Sequence, residues 1–150
     1  MTRILFIEES DLFREAMEFC LPRFGHSVFA VAGEREARAV ADTEVIEVIL
    51  MDLDLPIGGG LALCASLHQD AQLGRIPIIV LTELVTPEVS RRALEAGAAG
   101  LVAKPFEWDL LLDLITRVTR RATPPLPALF PIACRPVSPP SCVARENSDR

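Results

Sequence analysis

Apolar runs alternate with amphipathic segments five times along the chain. The runs Ile4–Ile7, Val28–Val31, Val45–Met51, Ile76–Leu81 and Leu101–Ala103 are short and dominated by Ile, Leu and Val, which predicts strands covered on both faces. The segments between them carry a helical period. The first helix opens at Ser10, an N-cap with Asp11 behind it, places Leu12, Ala16, Phe19 and Cys20 on one stripe, and stops at Gly25. The second runs over Glu34–Ala41, and the third follows Gly60 and uses Leu61, Leu63, Cys64 and Leu67. In the fourth, Thr86 is the cap, Pro87 takes the first helical position, where its missing N–H costs nothing, and Gly97 ends the helix. The fifth spans Glu107 to about Arg121, burying Leu110, Leu111, Leu114, Ile115 and Val118 and ending in Arg117, Arg120 and Arg121, which complement the C-terminal dipole. Strands alternating with helices in this way predict an α/β fold, a five-stranded parallel sheet with helices on both faces.

The pattern stops at Ala122. Seven of the twelve prolines fall beyond Arg121 with no apolar period, so 1–121 reads as one domain and 122–150 as a Pro-rich, disordered tail or linker. With half of its 150 residues apolar, the chain can bury a core of ordinary size. The net charge of -6 disfavours a grip on nucleic-acid phosphates, and nothing after the fifth helix resembles a helix-turn-helix, so no direct nucleic-acid binding is expected. The four cysteines form no CxxC pair, and none shares a regular spacing with His26 or His68 that would suggest zinc. Cys20 and Cys64 read as small apolar residues in a reducing cytosol, and the histidines as surface or loop residues. No apolar run is long enough for a membrane span, so a cytoplasmic, membrane-free protein is expected.

In an open α/β sheet, ligands bind beyond the carboxyl ends of the strands, where the strand order reverses. Those ends carry Glu8 and Glu9, then Asp52 and Asp54, then Thr82 and Glu83, then Lys104, the only Lys in the chain. Carboxylates brought together there would repel one another unless a cation neutralised them. An oxygen-only set suits a hard dication such as Mg²⁺, and a hydroxyl with an ammonium suits a phosphoryl group. Simpler readings stand beside these. Asp52 and Asp54 could end a strand in a solvated turn, and Glu8 and Glu9 could be first-turn helix acids. The run Gly58–Gly60 lacks the spacing of a nucleotide loop.

Taken in order, "ILFIEES", "VILMDLDLP", "IIVLT" and "VAKPF" resemble the receiver domain of bacterial two-component response regulators, over roughly residues 2–121. The resemblance implies a flavodoxin-like sheet of order 2-1-3-4-5. It makes Asp52 the phosphoacceptor, which attacks the phosphohistidine of a histidine kinase or phosphotransfer protein. It assigns Mg²⁺ to Glu9, Asp52 and the backbone carbonyl of Asp54, with Glu8 acting through water. Thr82 and Lys104 would contact the phosphoryl oxygens, the Lys104–Pro105 peptide is often cis in this family, and the signal would leave through the fourth helix, fifth strand and fifth helix to a downstream protein. The oligomeric state stays open, a homodimer included.

The sequence departs from the family at several positions. Glu8 and Glu9 stand where at least one Asp is usual, and an extra methylene displaces a carboxylate by about 1 Å, which predicts weakened Mg²⁺ binding. Glu83 replaces a small residue, Leu101 stands where Tyr or Phe usually reports phosphorylation, and Gly58 and Gly59 replace larger residues after Asp52. These departures support a second reading, a receiver-like interaction module that works without phosphorylation. A third is a haloacid-dehalogenase-like phosphatase, whose DxDx[TV] nucleophile motif "DLDLP" resembles. Against it, Pro56 occupies the [TV] position, and the acid pair precedes the nucleophile strand.

Overall fold

The computed structural model describes residues 1–54 and 59–120. The tail expected over 122–150 and the loop positions Pro56 and Gly58 lie outside the described residues. Five strands, β1 (Arg3–Ile7), β2 (Ser27–Val31), β3 (Val48–Asp52), β4 (Ile78–Thr82) and β5 (Gly100–Ala103), alternate with five helices, α1 (Asp11–Cys20), α2 (Glu34–Thr43), α3 (Gly59–Gln69), α4 (Pro87–Glu95) and α5 (Trp108–Arg120). The strands form one parallel sheet of order β2-β1-β3-β4-β5, as expected.

Side chains alternate between two apolar layers because the strand period is two. Leu5, Ile7, Ile49, Met51, Ile78, Val80 and Leu101 face α2, α3 and α4, meeting Ala37, Leu63, Cys64, Leu67 and Ala93. Ile4, Phe6, Val48, Leu50, Ile79, Leu81 and Val102 face α1 and α5, meeting Met17, Leu111, Leu114 and Ile115. Both faces are covered, which is why the strands read as continuous apolar runs.

Two strands begin later than the sequence suggests. The run from Val45 pairs only from Val48, because Arg3 holds the preceding turn through Nε to the Val45 carbonyl at 2.7 Å, and Val45 is left exposed. Pairing in β4 starts at Ile78 because Pro77 has no N–H to donate; its carbonyl accepts from the Ile49 N–H instead. The expected stripe of α1 is corrected as well. Leu12, Ala16 and Phe19 are exposed and Cys20 is half-buried, while Phe13 and Met17 pack on the sheet with Leu21 in the following 3₁₀ turn. The caps follow the sequence: Ser10 accepts from the Phe13 N–H at 3.2 Å, Thr86 from the Val89 N–H at 3.1 Å, and Gly97, at φ 104°, turns the chain out of α4.

Candidate functional site

The parallel register sets the strand ends side by side. Ile7 pairs with Met51, Asp52 with Leu81 and Thr82 with Ala103, so Glu8, Asp52, Thr82 and Lys104 all lie at the carboxyl edge of the sheet. Strand order reverses there, between β1 and β3. Glu8, Asp52 and Thr82 are the buried polar side chains of the described chain.

Asp52 is the hub. Its Oδ1 accepts from the Lys104 ammonium at 3.2 Å and from the Asp54 N–H at 2.9 Å. Lys104 is itself largely buried and lies 5.2 Å from the centre of the Phe13 ring, so an aromatic face supports the ammonium from beneath. The Lys104–Pro105 peptide is cis. Sequence reasoning missed Phe13; its i, i+4 relation to Met17 was the available signal.

Glu8 follows β1 into the same edge, 3% exposed. Its carboxylate accepts from the Ser10 N–H at 3.0 Å through Oε2, while Oε1 is buried without a hydrogen-bond partner among the described residues. Burial, and then the negative charge of Asp52, push the Glu8 carboxyl above its usual range, against the opposing pull of the Ser10 N–H and Lys104. A buried oxygen without a donor, beside a second carboxylate, fits a hard cation, and the donors present are all oxygen. Glu9 is exposed, however, and among the described residues no three His, Cys, Asp or Glu side chains form a ready-made metal group. Of the acids at the strand ends, Glu8 and Asp52 are buried side by side, while Glu9 and Asp54 are exposed. Arg14, also missed from sequence, steadies this loop by donating to the carbonyls of Glu8 at 2.8 Å and Glu9 at 3.1 Å.

The second Asp of the motif points elsewhere. Asp54 accepts from the Thr82 hydroxyl at 3.1 Å through Oδ1 and from the Glu83 N–H at 3.1 Å through Oδ2. The Glu83 side chain is exposed, and Leu101 is fully buried in the sheet. His68 is exposed, while His26 is half-buried with Nδ1 accepting from the Thr2 N–H at 3.2 Å. No helix among the described residues is long and apolar enough to cross a membrane.

Comparison with known proteins agrees with this geometry. The family model described as the response regulator receiver domain matches residues 4–116. The gliding motility regulatory protein of Myxococcus xanthus is 32% identical over 118 residues, covering 78% of this chain and 15% of that protein. The transcriptional regulatory protein CseB of Streptomyces coelicolor is 31% identical over 120 residues, covering 80% of this chain and 50% of that protein. The chain therefore spans half the length of CseB and far less of the motility protein. Among solved structures, the chemotaxis protein CheY4 of Vibrio cholerae superposes with a TM-score of 0.72 at 30% identity, covering 79% of this chain and 98% of that one. The receiver domain of a Pseudomonas aeruginosa sensor histidine kinase, described with a magnesium ion coordinated in its active-site cleft, does so with a TM-score of 0.70 at 28% identity, covering 80% and 98%. The chain belongs to the response regulator receiver domain family of two-component signalling.

Proposed function

We propose that this receiver takes a phosphoryl group onto Asp52 from the phosphohistidine of a histidine kinase or phosphotransfer protein. The observation that carries this reading is the contact of Asp52 with the Lys104 ammonium at 3.2 Å, with the buried Thr82 on the neighbouring strand. An ionised Asp52 oxygen attacks phosphorus; the new O–P bond forms as the P–N bond to the donor imidazole breaks, and the imidazole nitrogen keeps the electron pair. Lys104 holds the carboxylate in place and offers a positive charge to the incoming anion. Glu8, Glu9, Asp52 and the backbone carbonyl of Asp54 are the groups that would hold Mg²⁺. When bound, the ion supplies positive charge that offsets the two buried acids and the phosphoryl oxygens. Phosphorylation would then be read by a downstream protein on the α4, β5 and α5 face.

The test is intact mass after incubation with Mg²⁺ and acetyl phosphate. The wild type should gain one phosphoryl group and Asp52→Ala none. Equal masses with and without the donor, together with retained partner binding by Asp52→Ala, would instead support the phosphorylation-independent module. That second reading draws on the exposure of Glu9 and on the engagement of Thr82 by Asp54.

A further inference from the structure

We infer that the Asp54 carboxylate is an internal latch on this receiver, holding in the resting state the two donors that a phosphoryl group on Asp52 would use. The inference rests on the phosphoacceptor reading and concerns how that reaction is restrained.

The geometry is that of a tethered anion. One carboxylate spans two donors from consecutive residues at the end of β4, the Thr82 hydroxyl and the Glu83 N–H, each at 3.1 Å. A phosphoryl group presents the same pattern, two adjacent anionic oxygens that need donors. The Thr82 hydroxyl has only one proton to give. Its oxygen also accepts from the Leu84 N–H at 3.1 Å, and of the acceptors within reach of its proton the charged Asp54 carboxylate, at 3.1 Å, is nearer than the Leu84 carbonyl at 3.5 Å. While Asp54 stays, Thr82 cannot donate to a phosphoryl oxygen, and a further negative charge stands beside the incoming anion.

Release needs no rearrangement of the sheet. The Asp54 backbone is pinned by its N–H to Asp52 Oδ1 at 2.9 Å, and the residue is exposed, so the carboxylate can rotate into water while its main chain stays beside Asp52. As Asp52 attacks acetyl phosphate, its oxygen bonds to phosphorus, the phosphorus to acyl-oxygen bond breaks, and acetate leaves with the electron pair. The Thr82 proton and the Glu83 N–H then turn from Asp54 to the transferred group.

The test uses the full chain as wild type, Asp54→Asn, Asp54→Ala and Asp52→Ala. Phosphoryl uptake from acetyl phosphate with Mg²⁺ is timed by intact mass. Hydrogen exchange at the Glu83 amide is read by NMR without donor. Removing the latch should speed uptake about tenfold in both Asp54 variants and speed Glu83 exchange by about the same factor in Asp54→Ala. Asp54→Asn keeps the size but is uncharged and has one acceptor oxygen, so it cannot hold both donors, and it carries the test should Asp54→Ala fold poorly. Uptake no faster in the Asp54 variants than in the wild type, or a Glu83 amide that exchanges equally fast in all of them, overturns the latch alone. Absence of uptake in every chain overturns the phosphoacceptor reading, and the latch with it.

Discussion

Glu8 keeps a carboxylate at the buried end of β1, with Oε1 lacking a hydrogen-bond partner among the described residues and Asp52 beside it. A buried charged group without its full set of partners works against folding. Glu8→Gln removes the charge while keeping the shape, and its amide gains two protons to offer Asp52. Without divalent cations the variant should melt higher than the wild type, by on the order of 1 kcal/mol, and should lose most of the extra stability that Mg²⁺ gives the wild type. Thermal denaturation with EDTA and with Mg²⁺ checks both halves; a variant that melts lower in EDTA would mean that Glu8 is already satisfied. His26 makes a separate prediction with the opposite dependence on protons. Burial holds its pKa below the ordinary 6.5, and neutral Nδ1 accepts from the Thr2 N–H. The unfolded chain therefore binds more protons than the folded one between the lowered value and 6.5. The stability His26 contributes is present above 6.5 and is lost as pH falls through the folded value. In His26→Gln that loss should vanish, so the melting temperature of the wild type should decline relative to the variant on acidification, and the imidazole resonances should titrate below 6.5.

At the scale of elements, the start of α3 is where packing and the site meet. A Cβ at Gly60 would collide with the backbone of Leu53, the residue directly after Asp52. Gly60→Ala should therefore cost about 1–3 kcal/mol and displace the Asp52 carboxylate, reducing phosphoryl uptake along with Tm. An unchanged Tm would show that this backbone contact is absent in solution. The closeness of Gly60 to Leu53 was not legible in the sequence, because it depends on how a helix enters a sheet, whereas the strands were legible because a strand covered on both faces has nothing but apolar residues to show. The positions of Glu8, Asp52, Thr82 and Lys104 at strand ends were legible for the same reason: each stops an apolar run, and the parallel register aligns those ends. The face of α1 was not. Leu12, Ala16 and Phe19 offer an apolar stripe that competes with Phe13, Met17 and Leu21, and only docking on Phe6, with the Phe6 and Phe13 rings 5.6 Å apart, selects the second. The direction of the Asp54 side chain was equally hidden, since "DLD" fixes the spacing of two acids and not which neighbour each will bind.

At the scale of the whole molecule, both apolar layers are built, among the described residues, from side chains between Ile4 and Val118. The inner strands β1, β3 and β4 are buried along their length apart from Arg3 at the start of β1, and α5 seals the layer that α1 leaves open with Leu111, Leu114 and Ile115. Each of these side chains contributes on the order of 1.5–3 kcal/mol when fully buried, so the helix that ends at Arg120 is indispensable to the core. The expected domain boundary at Arg121 is tested by truncation. A chain shortened to 1–121 should unfold in one cooperative transition within a few degrees of the full-length protein, and should take up phosphoryl from acetyl phosphate at the same rate. Shortening it further, to end before Leu111, should abolish the transition, because three buried α5 side chains would be lost from one face of the sheet. Circular dichroism melts of the three chains decide the point. A broad, non-cooperative melt of 1–121 would place part of the core beyond Arg121, whereas a sharp melt with altered phosphoryl uptake would assign those residues to the site and not to the fold.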